Sequence, residues 1–320
     1  MGRRLRPAAG KKRCRGAFVI AVQLTVLGSG SGGNSTLLVQ RGRGVLIDAG
    51  LSYRQIARRL DHVGFDPDRV DAIVITHGHG DHTRGARMFC RRHDVAVYAT
   101  ETVRGDWGKT DVPTWRSLRT NQRHDVCGLS FYPVTIPHDA SETVAFRIET
   151  QDGAIGFATD IGAMTAELID RFRDCRVLVV ESNYATELLR VSPYDRSTRA
   201  RIGSARGHLS NEALADYVRD HLGAQVRCLV LTHLSRVNNV PEIAEITCRE
   251  ALAASGRGDV DVVVTRQDQV APTIDLARWS SRQVPEFAAP YAQTVLPFDT
   301  PTTEEARRPQ PGTQEVSPRP

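Results

Sequence analysis

No two of the six cysteines stand at metal-finger or redox spacing: Cys14, Cys90, Cys127, Cys175, Cys228 and Cys248 are scattered along the chain. That excludes a disulfide framework and reads as reduced thiols in a cytoplasmic protein. No stretch approaches the roughly 18 apolar residues a membrane helix needs. The apolar residues 17–22 are short for an export signal and lead directly into residues 24–27, where they read as strand. Acid is missing from residues 1–16, where Arg3, Arg4, Arg6, Lys11, Lys12, Arg13 and Arg15 give a local +7. The whole chain carries +5, so the remainder sums to −2 and the basicity belongs to an N-terminal arm, residues 1–22. Such an arm suits nucleic-acid contact or a flexible solubilising extension. Patterned apolar runs give out near Leu276, and residues 277–320 hold eight of the 16 prolines, which reads as a disordered tail. Between these ends, 40% hydrophobic and 25% charged residues are ordinary for a soluble globular domain over 23–276.

The glycine-rich segment 28–35 invites comparison with phosphate-binding loops but lacks the Lys-Ser/Thr that would follow the glycines. A strand follows it instead of a helix, so it reads as a hairpin whose glycines permit close backbone approach. What the chain does have is His77-Gly78-His79-Gly80-Asp81-His82, placed after the apolar run 70–75. Three imidazoles and a carboxylate at the end of a buried strand leave polar groups near a core without partners. A divalent metal resolves that cost, because neutral imidazole and carboxylate are preferred ligands of zinc and its neighbours.

Further chemistry recurs at the ends of other apolar runs. Asp48 follows residues 43–47, His138 follows 129–136, and Asp160 follows 154–158. Glu181 and His233 close the runs beginning at Val177 and Cys228. Strand ends are where sheet proteins gather their sites. Strands at the start of each half with helices between them predict an α/β fold of αββα type, a four-layer sandwich. Helices are expected at Thr83–His93, Ala166–Phe172, Asn211–Leu222 and Pro241–Ala254. Arg84, Arg87 and Arg91 would then line one side of the first, as a solvated face or as a basic strip beside the histidines.

The His77-x-His79-x-Asp81-His82 loop, followed by lone His138, Asp160 and His233, resembles the metallo-β-lactamase fold of metal-dependent hydrolases. The segments 26–35, 46–52, 136–140, 158–160, 181–183, 207–211 and 233–239 bring the likeness closer to its YycJ/WalJ-like branch. The resemblance implies that His77, His79 and His138 bind one metal, that Asp81, His82 and His233 bind a second, and that Asp160 bridges them. It implies zinc or manganese as the pair of divalent ions, and Asp48 as a carboxylate that orients a ligand histidine. Gly78 and Gly80 stand where the family usually has larger residues, which loosens the loop and removes no ligand.

Two divalent ions with Asp81, Asp160 and a bridging hydroxide leave residual positive charge suited to an anionic substrate such as a phosphodiester. The Glu181-Ser182-Asn183 and Gly207-His208-Leu209-Ser210-Asn211 segments resemble elements of the tRNA-maturing and exonuclease branches. From these, His208 is expected as general acid for the departing sugar oxygen and Glu181 as the group fixing its tautomer, with Asp81 also in the catalytic set. No long inserted domain separates Glu181 from His208, which favours the compact branch and its implied 5′-to-3′ DNA exonuclease activity. Arg196, Arg199, Arg201 and Arg206 precede His208 and are candidates for phosphate contact, as are Arg84 and Arg87. The alternative is a small-molecule hydrolase of the same fold, acting on a thioester, lactone or cyclic phosphodiester. A DNA substrate is favoured and no membrane partner is expected.

Overall fold

The computed structural model describes residues 21–107 and 112–279. Its first half runs through β1 (Gln23–Gly28), β2 (Ser35–Gln40), β3 (Arg43–Ile47), α1 (Tyr53–His62) and β4 (Val70–Val74). It continues with α2 (Gly80–Thr83), α3 (Ala86–His93), β5 (Ala96–Thr100), α4 (Glu101–Trp107) and β6 (Trp115–Leu118). The second half opens with β7 (His124–Val126), β8 (Leu129–Ile136), β9 (Thr143–Thr150), β10 (Gly153–Ala158), α5 (Ala166–Phe172) and β11 (Val177–Glu181). Then come α6 (Thr186–Arg190), α7 (Arg196–Ile202), α8 (Asn211–His221), β12 (Cys228–Thr232), α9 (Pro241–Ala254) and β13 (Asp261–Val264). A last short strand, β14 (Ile274–Asp275), returns to pair with β1.

These strands form two seven-stranded sheets, ordered β14-β1-β2-β3-β4-β5-β6 and β13-β12-β11-β10-β9-β8-β7. In each, an antiparallel hairpin region gives way to a parallel run: β3 through β6 in the first, β10 through β13 in the second. The central parallel strands β3, β4, β11 and β12 are largely buried and, β4's Asp71 and the ends of β3, β11 and β12 aside, read as apolar runs. Alternate residues then divide between layers. In β12, Cys228 and Val230 point into the space between the sheets, while Leu229 and Leu231 meet the outer helices. In β4, Ala72 and Val74 face inward and Ile73 faces α1 and α3. Three large apolar clusters result, one between the sheets and one under each helical layer, and this is the expected αββα sandwich.

Several expected elements are displaced. The helix expected over Thr83–His93 is two, α2 and α3, broken at Arg84-Gly85. Gly85 donates its N–H to Ala49 O (2.7 Å), and a Cβ there would stand 2.1 Å from Leu51 O, so the chain is pinned against the loop leaving β3. Arg84 consequently lies outside the helix that carries Arg87 and Arg91. The unpatterned stretch after Thr102 holds α4 and the edge strand β6, whose mixed exposure explains its weak signal. Residues 1–20 of the expected arm lie outside the described residues, whereas Val22 is buried and donates its N–H to Asp152 Oδ2 at 2.7 Å. Of the expected tail, residues 280–320 lie outside them, and Trp279 ends a short 3-10 turn packed on the inter-sheet cluster.

Candidate metal centre

Sheet register decides which strand ends meet. Ile47 pairs with Val74, so Asp48 and the loop after β4 leave their sheet side by side. In the other sheet Glu181 pairs with Thr232, which places it next to His233, and Ala158 pairs with Val180, which brings Asp160 alongside. Because β8 runs in the same direction as β10 through antiparallel β9, Ile136 delivers His138 to the same edge. Three of these residues, Asp48, Asp160 and His233, hold a left-handed backbone with φ of 59°, 54° and 54°. A left-handed turn is uncommon for residues with a Cβ and concentrates at functional sites.

In the first half, the carboxylate of Asp48 organises the histidines. Its Oδ1 accepts from the Thr76 N–H (2.9 Å), and its Oδ2 lies 2.9 Å from Thr76 Oγ1 and 2.7 Å from His82 Nδ1. Thr76 Oγ1 is also 3.0 Å from His77 Nδ1. With Nδ1 engaged in both rings, each Nε2 faces the site. His77 Nε2 is buried with no hydrogen-bond partner, and His82 Nε2 stands 2.9 Å from Asp160 Oδ2.

From the second half, His138 Nδ1 donates to Gly207 O (3.0 Å), leaving its buried Nε2 without a hydrogen-bond partner. His233 places Nδ1 2.7 Å from Glu181 Oε1 and leaves Nε2 buried and unsatisfied, 3.6 Å from Asp81 Oδ2. Glu181 Oε1 is shared, since His208 Nδ1 lies 2.8 Å from it, while Oε2 accepts from the N–H groups of Ile161 (2.9 Å) and Leu209 (3.1 Å).

The ligand atoms of His77, His79 and His138 lie within 4.8 Å of one another, and so do those of Asp81, His82, Asp160 and His233. Asp160 stands between the sets, with Oδ1 3.7 Å from His138 Nε2 and Oδ2 toward His82. Charge follows the geometry. Burial pushes the His77 and His138 imidazoles down, toward the neutral form a metal ligand requires. Burial opposes charge on His82 and His233 too, but Asp160 and the neighbouring carboxylates outweigh it and carry His233 up to about 10. Burial would raise Asp160, yet the imidazoles of His233 and His82 hold it well below the usual carboxylate range. Buried carboxylates thus need cationic partners here, and converging unpartnered Nε2 atoms offer lone pairs. This donor set fits divalent metal ions better than it fits a protonated core.

All seven ligands expected from the sequence converge, as do Asp48, Glu181 and His208. The arginines divide. Arg206 donates through Nε and Nη2 to His138 O (3.1 and 3.0 Å), and Arg84 Nη1 donates to Gly32 O (3.2 Å), so both sit at the rim. Arg199 is turned to Arg190 O (2.6 Å), and Arg87 is exposed on α3. The sequence reading missed Asp139, whose Oδ1 is 3.0 Å from His138 Nε2 and which pairs with Arg201. It also missed the work of the glycine hairpin. Ser29 Oγ accepts the His233 N–H (2.9 Å) and donates to Asn34 Oδ1 (2.9 Å), and Asn34 Nδ2 reaches His82 Nε2 (2.9 Å). That hairpin therefore couples the two halves of the site. Gly50 permits the fit, since a Cβ there would stand 1.5 Å from Asp81 O.

Asp48→Ala should lower metal affinity about 10- to 100-fold, the usual cost of losing an orienting partner of a ligand histidine. Metal retained against a graded chelator measures it, and unchanged retention would contradict the orienting role.

Residues 43–234 match the beta-lactamase superfamily domain. The chain is 29% identical over 269 residues to exodeoxyribonuclease WalJ of Streptococcus pneumoniae serotype 2 (strain D39 / NCTC 7466), covering 80% of this chain and 99% of that protein. It is 28% identical over 246 residues to exodeoxyribonuclease YycJ of Bacillus anthracis, covering 75% and 92%. Among solved structures, the metallo-beta-lactamase fold protein YhfI from Bacillus subtilis superposes with a TM-score of 0.62 at 15% identity, over 78% of this chain and 98% of that one.

Proposed function

Because the chain belongs to the beta-lactamase superfamily, we propose that it is a metal-dependent phosphodiesterase acting on DNA from an end, an exodeoxyribonuclease. Its likeness to WalJ and YycJ over nearly their whole length supports that activity. The observation that carries the choice of substrate is the Glu181–His208 pair, 2.8 Å apart and set beside Asp160 and His233. Hydrolysis at metals alone has no need of a further buried acid pair, whereas expelling a sugar alkoxide needs a proton.

In this reading His77, His79 and His138 would hold one divalent ion, Asp81, His82 and His233 would hold a second, and Asp160 lies between the two sets. Zinc or manganese suits these donors. When bound, the ions would supply Lewis acidity and favour hydroxide over water at neutral pH. The protein's own part is orientation and proton transfer. Asp48 and Thr76 fix the rings of His77 and His82. Glu181 takes the Nδ1–H of His208, which directs the Nε2 proton at the departing sugar oxygen. Arg84 and Arg206 line the approach for the phosphate backbone. The hydrolase domain spans residues 23–276. No helix among the described residues is long and apolar enough to cross a membrane, and the five described cysteines are free thiols, which suits a cytoplasmic enzyme.

The test compares linear duplex DNA with covalently closed circles, with Mn²⁺ and then with Zn²⁺. Nucleotides released only from the linear form, with release abolished by chelation, are expected. Inertness toward both DNA forms while a cyclic phosphodiester is hydrolysed would overturn the nuclease reading in favour of a small-molecule hydrolase.

A further inference from the structure

Two buried asparagines take no part in the chemistry so far described. Asn211 opens α8, three residues after His208, and Asn239 lies six residues after His233; they are 2% and 7% exposed. Their amides pair reciprocally, Asn211 Nδ2 donating to Asn239 Oδ1 and Asn239 Nδ2 to Asn211 Oδ1, each at 3.0 Å. The second N–H of Asn239 is shared by the carbonyls of Ser182 and Asn183, both at 2.9 Å, and these residues directly follow Glu181. The remaining acceptor sites are also filled. Ser182 Oγ donates to Asn211 Oδ1 (2.6 Å) and the Val240 N–H to Asn239 Oδ1 (2.9 Å). Asn183 extends the network, since its Nδ2 donates to His233 O at 2.7 Å.

Both amide oxygens accept two hydrogen bonds and Asn239 uses both of its N–H groups, so the pair is committed to the protein's own structure. What they join is informative: the backbone after Glu181, the helix start after His208 and the loop after His233. Main-chain bonds run parallel to them, Asn183 N to Leu209 O and Asn211 N to Tyr184 O, each at 2.8 Å. A buried polar network contributes little net stability over well-packed apolar groups of the same volume, but it does fix geometry. We infer that the Asn211–Asn239 amide pair positions the Glu181–His208 acid pair against His233. The inference rests on the proposed role of His208 as proton donor. A misplacement of about 1 Å at a reacting group costs on the order of a hundredfold in rate.

The experiment uses the metal-loaded full chain and two phosphodiesters: linear duplex DNA, whose sugar oxygen must be protonated to leave, and an aryl ester, whose nitrophenolate departs unaided. Asn239→Ala should lower kcat on DNA by about 10- to 100-fold with KM little changed, while the aryl ester loses markedly less and the metal content stays near wild type. Asn211→Ala should match it, and the double variant should lose no more than either single change, because one coupled unit is removed. Asn239→Ser keeps a small polar group in the space and serves if the alanine variant does not fold. Equal losses on both esters, tracking a fall in melting midpoint, would reduce the pair to ordinary stability and overturn the inference. A wild type inert toward DNA would overturn the nuclease reading and this inference with it; an active wild type with equal losses overturns this inference alone.

Discussion

Asp160→Asn is expected to slow hydrolysis about a thousandfold or more, because it takes the anionic group from the centre of a charge-stabilising site. It should also lower the bound metal below the wild-type stoichiometry. Asp160 is 2% exposed and stands between the two ligand sets. Asparagine keeps the shape and is among the few residues with a Cβ that tolerate the left-handed backbone found there, φ 54°. Loss of activity would then report the missing charge, not a broken strand end. Asp160→Ala should remove activity as fully but combine it with backbone strain. Elemental analysis of the purified variant beside steady-state rates checks both parts. Wild-type metal content and wild-type rate in Asp160→Asn would refute the placement of Asp160 between two ions.

Why the sequence was so informative at Asp160, and so silent elsewhere, has a physical basis. Each proposed ligand ends or follows an apolar run, and a run of four to six apolar residues is the plainest signal a buried parallel strand leaves. A titratable residue at its end stands out because burial there is costly. Asp48, His138, Asp160, Glu181 and His233 were all visible on that ground, and the order of the two halves gave the four-layer sandwich. Side-chain partnerships leave no such periodic trace. That Ser29 and Asn34 bridge His233 to His82 follows from where a hairpin of one sheet lands on the other. The same holds for the clasp of Asp139 and Arg201 beside His138 and for the Asn211–Asn239 pair. The left-handed turn at His233 carries no sequence signal either, since imidazole gives no hint of the backbone beneath it. Short elements with mixed exposure, α6, α7 and β6, escaped because too few of their residues face a core.

His208→Ala separates metal chemistry from proton transfer. His208 is the one imidazole at the site that the proposed reading leaves unliganded: Glu181 holds its Nδ1, and its ring lies 5.2 Å from that of His138 and 5.3 Å from that of His233, centre to centre. Burial works against charge on His208, but Glu181 and Asp160 outweigh it and raise its pKa. That direction suits the proton donor proposed for the leaving oxygen. Removing the ring should cost about a hundredfold to ten-thousandfold on DNA, the range of a lost general acid, and leave metal content untouched. An aryl phosphodiester should be hydrolysed at close to the wild-type rate, because its leaving group departs without a proton. Glu181→Gln behaves differently in this account. It removes the carboxylate shared by His208 and His233, so the aryl ester should slow as well, through the metal side. A folded, metal-loaded His208→Ala enzyme at full rate on DNA would show that protonation comes from elsewhere. The selectivity for a sugar leaving group would then have to reside in the metals and the arginine rim.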